Sequence, residues 1–125
     1  MLKNILLVGT GGFIGSVARY FVSKLSNHID FLSIPVGTLI VNVLGSFLIG
    51  FLAGISAKST LLNSDLRLLL MVGLCGGFTT FSTFTGENLM LMQSGQGLSV
   101  LIYTTLSVVL GFLAVYLGFV TSNLL

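Results

Sequence analysis

Four apolar runs, each about as long as a membrane is thick, leave this chain few folds to choose from. They lie at approximately Asn4 to Leu25, Pro35 to Ala57, Leu66 to Gln93 and Leu98 to Asn123. A helix of about 20 such residues crosses a hydrocarbon core of about 30 Å. The only polar stretches between them are SNHIDFLS, KSTLLNSD and QSGQG. Of 125 residues, 54% are hydrophobic and 6% charged, against about a quarter charged in a soluble domain. The expectation is an all-α membrane protein: one four-helix unit over residues 1–125, multi-pass in the plasma membrane, with nothing left over for an extramembrane domain. Pro35 suits the first turn of the second helix, where its missing N–H does no harm.

Several function classes fall away on the same grounds. Five basic and three acidic residues give a net charge of +2, too little for a nucleic-acid footprint. Cys75 is the single cysteine, so neither an intrachain disulfide nor a cysteine metal site can form; it reads as a small buried apolar residue. Lys3 ahead of an apolar run resembles a signal peptide, but no cleavage site leads into a soluble domain, and the segment reads as a retained span. ILLVGTGGFIG, with Gly9, Gly11, Gly15 and then Asp30, loosely matches a dinucleotide-binding turn. That motif needs alternating strands and amphipathic helices, whereas every later segment is apolar all round. Gly11 and Gly15 instead read as a helix-packing pair. His28 and Asp30 read as solvated loop residues, and Met71, Met90 and Met92 as adaptable apolar filler. No nucleophile, base and metal set converges, so the chain does not read as an enzyme.

Lys3, Lys58 and Arg67 fall on one side of a four-span chain, and Arg19 and Lys24 on the other. Three against two hardly specifies orientation, which permits insertion both ways and hence an antiparallel dimer. A subunit this small also has little room for a pore of its own, so a homo-oligomer is expected.

Polar residues recur inside the spans at helical spacing. In the second, Thr38, Asn42, Ser46, Gly50 and Gly54 repeat every four residues and share one face. Gly50 and Gly54 read as close packing. Asn42 has two readings, a hydrogen bond across a helix interface or an amide facing water. In the fourth span, Tyr103, Ser107 and Gly111 repeat the spacing. The third span carries GGFTTFSTF from Gly76 to Phe84. Its glycines and threonines are poor helix formers, and a break near mid-membrane is expected there. Such breaks recur at ion and substrate sites; they expose carbonyls suited to a hard cation and N–H groups suited to an anion. Beyond it, Phe81 and Phe84 share a face and can turn electropositive ring edges toward an anion. Donors without fixed charge suit an anion that must be dehydrated yet not trapped.

The ordered set resembles the Fluc (CrcB) fluoride channels over all four spans. The first span has G-G-x-x-G-x-x-x-R-Y as Gly11, Gly12, Gly15, Arg19 and Tyr20, with Ser16 where the family usually has alanine. The second has G-T-L-x-V-N-x-x-G as Gly37, Thr38, Leu39, Val41, Asn42 and Gly45. The third has G-G-x-T-T-F-S-T-F from Gly76 to Phe84 with Glu87 after it, and the fourth Y-x-x-x-S as Tyr103 and Ser107. The resemblance implies a dual-topology antiparallel dimer with two fluoride pores along the subunit interface. It implies a path lined by Asn42 and by the ring edges of Phe81 and Phe84. Tyr103 and Ser107 would add a polar track, with Thr38, Ser82 and Thr83 close by. Arg19 would stand in an aqueous vestibule. It further implies a structural sodium ion at the dimer centre, held by the backbone carbonyls of Gly76 and Thr79 from both subunits. Partners would be fluoride, the lipid bilayer and a second copy, or a related chain in a heterodimer.

The rival is a small proton-coupled multidrug or anion exporter, also built of four short helices. It needs a titratable group deep in the bundle, and Glu87, expected near an interface, is the only candidate. An accessory subunit without transport of its own is the other alternative.

Overall fold

The computed structural model describes all 125 residues, and it is helical apart from short connections. Helix α1 runs Leu2–Leu25 and α2 runs Val36–Lys58. A third helical run opens with α3, Ser64–Arg67, passes through a π-helical stretch, Leu68–Cys75, and ends with α4, Gly76–Phe78. Then come α5, Ser82–Gln93, and α6, Gly97–Ser122. Four segments are long and apolar enough to cross a membrane: Leu2–Leu25, Val36–Lys58, Ser64–Gln93 and Gly97–Ser122.

These bounds differ from the sequence expectation by one or two residues, for local reasons. Pro35 is the N-cap of α2, with φ −71°, one position ahead of the first turn expected for it. The third run begins at Ser64 because Asn63 caps it, its Oδ1 accepting from the N–H of Leu66 at 2.9 Å. The π-helical stretch is not signalled by the sequence; a wide helix there brings its backbone against α1.

Glycines set the helix contacts. A Cβ on Gly11 would lie 2.8 Å from the nitrogen of Leu74 and 3.0 Å from the Cα of Gly73, and one on Gly15 would lie 2.8 Å from the nitrogen of Phe78. The packing pair expected in α1 is therefore the seam with the third run. Gly50 and Gly54 meet Val115 and Ser122 of α6, and Gly118 of α6 meets Phe47 and Phe51 of α2. Without a hydrophobic drive between helices in lipid, such backbone approaches carry the association.

The first connection contains a tight turn, closed by the N–H of Ile34 donating to the carbonyl of Phe31 at 2.8 Å. Leu32 and Ser33 both have positive φ, 54° and 63°, which non-glycine residues seldom adopt. Ser99 of α6 pins the turn, its Oγ donating to the Leu32 carbonyl at 2.6 Å. At the opposite end Lys3 pairs with Asp65 at 3.0 Å. There too, Lys58 donates to the Ser122 carbonyl, complementing the negative end of α6.

Only 19 of 125 residues are buried, and within each candidate span the buried share lies between 11% and 28%. Phe13 and Phe112 stand largely exposed. Water would not tolerate this much apolar surface on a folded chain. The protein is a multi-pass membrane protein whose outer faces are covered by lipid or by another chain.

Candidate functional site

The polar machinery gathers where the third run loses its helical pairing. Gly76, Gly77 and Phe78 are helical, Thr79 is extended at φ −82° and ψ 159°, and helix resumes at Ser82. Thr79 closes the first half, its N–H and its Oγ1 both donating to the carbonyl of Cys75, at 3.0 and 2.9 Å. Thr80 opens the second half, its Oγ1 accepting from the N–H of Thr83 at 3.2 Å, as a capping hydroxyl does.

Side chains from α1 and α2 reach this interruption. The Asn42 amide pairs with both backbone groups of Thr80: Nδ2 donates to the carbonyl at 3.0 Å, and Oδ1 accepts from the N–H at 2.8 Å. Of the two readings of Asn42, the structure contains the hydrogen bond across helices, and it leaves one amide hydrogen unspent. Arg19 donates from Nε to the carbonyl of Gly77 at 3.1 Å, with Ser16 Oγ 3.5 Å from the same oxygen. Gly45 lets α2 lie directly against Thr79 and Phe78. Beside the interruption opens a groove of about 400 Å³, lined by Asn42, Ser46, Gly76, Thr79, Thr80 and Phe81 among others.

A second group centres on Glu87. Its Oε2 accepts from Thr38 Oγ1 and its Oε1 from the Tyr103 hydroxyl, each at 3.1 Å. Thr38 is the third residue of α2, so the carboxylate stands toward that end of the bundle, half-buried. The Tyr103 ring is wholly enclosed and meets Phe84 edge to face at 4.9 Å. Phe84 lies 6.0 Å from Phe81, whose ring is 76% exposed. Two polar cavities, about 410 and 320 Å³, adjoin here and share Ser23, Thr38 and Thr83. Glu87 and Asp30 line the larger, Arg19 and Thr80 the smaller.

Most of the residues singled out from sequence thus fall into two places. Thr38, Arg19 and Thr83 line the paired cavities and Tyr103 touches Glu87, with Phe84 against the Tyr103 ring, Asn42 and Phe81 at the interruption and Ser82 exposed on the first turn of α5. Ser107 stands apart, lining a cavity of about 260 Å³ with Ser46 and Gly111. Its buried hydroxyl has no hydrogen-bond partner in the chain. The Thr38–Glu87–Tyr103 contact, whose members are 49 and 16 residues apart, is not signalled by any local pattern. The capping role of Thr80 had a signal, a threonine three residues ahead of a helical N–H.

Comparison with known proteins covers nearly the whole chain. Residues 6–119 match the family described as CrcB-like protein, Camphor Resistance (CrcB). A protein of Azobacteroides pseudotrichonymphae named fluoride-specific ion channel FluC is 44% identical over 123 residues, 98% of each chain. One of the same name from Chlorobaculum tepidum is 45% identical over 124 residues, 99% of this chain and 98% of the relative. Another from Nitratidesulfovibrio vulgaris is 42% identical over 123 residues, 98% of this chain and 99% of the relative. With the profile matched across all four spans and full-length relatives at this identity, the chain belongs to the CrcB family.

Proposed function

We propose that the protein is a passive fluoride channel, not an enzyme, and that it exports fluoride from the cytoplasm and so limits its toxicity. One observation carries the reading: hydroxyl and amide donors and phenyl edges cluster around the interruption and the paired cavities, in a family whose relatives bear the name fluoride-specific ion channel. Fluoride is small and tightly hydrated, so its path must replace water with donors that do not trap it. The free hydrogen of the Asn42 amide, the Ser82, Thr83 and Ser107 hydroxyls and the ring edges of Phe81 and Phe84 are such donors, while Thr38 and Tyr103, whose hydroxyl hydrogens go to Glu87, would line the path beside them. Arg19, lining the cavity of about 320 Å³, supplies positive potential at its mouth.

The working unit in this reading is an antiparallel dimer of oppositely inserted copies, with two fluoride paths along the interface. The exposure of Phe81 and Gly76 supports it, because a second chain would cover them. A structural sodium ion fits the interruption. Thr80 N–H, which would donate to the Gly76 carbonyl in a continuous helix, is taken by Asn42, and Thr83 N–H, which would donate to Thr79, is taken by Thr80 Oγ1. The two carbonyls freed in this way are hard oxygen donors of the kind alkali and alkaline-earth ions prefer. Bound there, sodium would tie the subunits together.

The test is a liposome containing the purified chain, loaded with potassium fluoride and diluted into fluoride-free solution under a fluoride electrode. Rapid release that requires valinomycin, without comparable release from chloride-loaded vesicles, is expected. Equal chloride release overturns the selectivity. Release driven by a proton gradient without valinomycin replaces the channel with an exchanger working through Glu87.

A further inference from the structure

Leaving helical geometry inside an apolar segment orphans backbone groups that lipid cannot satisfy. In an unbroken helix the N–H groups of Thr80, Phe81 and Thr83 would donate to the carbonyls of Gly76, Gly77 and Thr79. Here two side chains from neighbouring helices take carbonyls instead. Arg19 Nε donates to Gly77 at 3.1 Å, and Asn42 Nδ2 to Thr80 at 3.0 Å. Asn42 Oδ1 also removes the Thr80 N–H at 2.8 Å, and Thr80 Oγ1 removes that of Thr83 at 3.2 Å. The carbonyls at 77 and 80 thus have side-chain donors, while those at 76, 78 and 79 have lost their helical ones.

We infer that Arg19 and Asn42 are positioning residues for the cation site, and that by occupying the carbonyls of Gly77 and Thr80 they hold the interruption open with those of Gly76 and Thr79 free for the ion. The inference rests on the sodium-bridged dimer proposed above and adds what prepares its site. Asn42 suits the task because its amide offers one donor and one acceptor side by side, matching both backbone groups of an extended residue. Arg19 brings a fixed positive charge next to the ion site, and its bond to Gly77 keeps that charge on a different carbonyl from those offered to sodium. Arg19 thus has a structural duty beside its place in the cavity, and Asn42 is committed to Thr80 before it meets an anion.

The experiment measures sodium binding rather than flux. The purified full-length protein in detergent is melted over a sodium chloride series, with N-methylglucamine chloride keeping ionic strength constant. An ion that binds only the folded state raises the melting temperature as its concentration passes its dissociation constant. Asn42→Ser withdraws the amide from both backbone groups of Thr80 without adding charge, and Arg19→Gln removes the guanidinium from Gly77. Each should raise the sodium concentration giving half the stabilisation by about tenfold, the effect of one lost charge-assisted or amide hydrogen bond. Arg19→Lys, which can still donate to a carbonyl, should recover most of that loss. Where Asn42→Ser does not fold, Asn42→Thr takes its place. A merely structural role would lower melting equally in both salts and leave the sodium midpoint unmoved. Unchanged midpoints overturn the inference and leave the sodium reading standing. A wild-type protein whose melting does not respond to sodium overturns both.

Discussion

Phe81 and Phe84 are the two side chains whose chemistry, as distinct from bulk, the proposed path requires, and isoleucine separates the two. It keeps an apolar branched side chain but has no electropositive edge. Phe81 is 76% exposed in the subunit and touches the aromatic cluster only through a tilted pairing with Phe84 at 6.0 Å. Phe81→Ile should therefore cost the fold no more than about 0.5 kcal/mol, the low end for an aromatic pair. Phe84 also meets the enclosed Tyr103 ring at 4.9 Å and 74°, so Phe84→Ile should cost about 1–1.5 kcal/mol. If each edge lowers the barrier to fluoride by about 1.4 kcal/mol, either substitution slows release about tenfold. The double variant should fall short of the product of the two effects, because rings this close interact. Fluoride-electrode efflux with valinomycin measures the rate, and size-exclusion chromatography with thermal melting measures assembly. Wild-type efflux from an assembled Phe81→Ile protein would refute the electrostatic argument and return the ring to packing.

Three further outcomes are expected. Gly118→Val should destabilise the α2–α6 seam by about 1–3 kcal/mol, since a Cβ there already stands 2.8 Å from the nitrogen of Phe51; lower yield and melting temperature in detergent would register it. Thr60→Cys in a Cys75→Ala background should label partly from each side of the membrane, because three basic residues against two give little orientational bias, and labelling from one side alone would exclude the homodimer of opposed copies. Glu87→Gln keeps the shape and can still accept from Thr38 or Tyr103 while losing the titratable group, so fluoride release should remain valinomycin-dependent; loss of proton-driven release on this substitution would instead identify an exchanger.

The four spans and their connections were legible because length and apolarity in a bilayer depend on composition alone. The Gly11–Gly15 and Gly50–Gly54 spacings were legible for a related reason: residues four apart share a helix face wherever the helix lies, and small residues there mark a backbone approach. What those faces would meet was not. That Gly50 lies on Val115 and Gly15 on Phe78 depends on helix rotation, which no local pattern encodes. The π-helical stretch Leu68–Cys75 was hidden because leucine, methionine and valine serve an α-helix equally well. Glu87 stands out as the one acidic residue late in the third span, but its two hydroxyl partners come from other helices. From sequence Arg19 reads as a charge near water; its bond to the Gly77 carbonyl follows from the packing of α1 on the third run.

Hydrogen-bond accounting explains why so few polar side chains serve so many purposes here. An unpaired backbone group in hydrocarbon costs several kcal/mol, so a chain that leaves helical geometry at Thr79 must bring donors and acceptors from elsewhere. Asn42 supplies one of each to Thr80, Arg19 one to Gly77, Thr79 folds its own hydroxyl back to Cys75, and Thr80 caps the helix that follows. Most of the polar residues within reach are thereby spent on holding the backbone. What is left over is small and specific: a second amide hydrogen on Asn42, the carbonyls of Gly76 and Thr79, and the hydroxyls facing the paired cavities. Donors left over in this way are fixed by bonds they already make, so an ion arriving among them need not reorganise the protein. In the proposed path the same commitment would limit what is accepted, because widening it for a larger anion would break the bonds that keep the interruption paired.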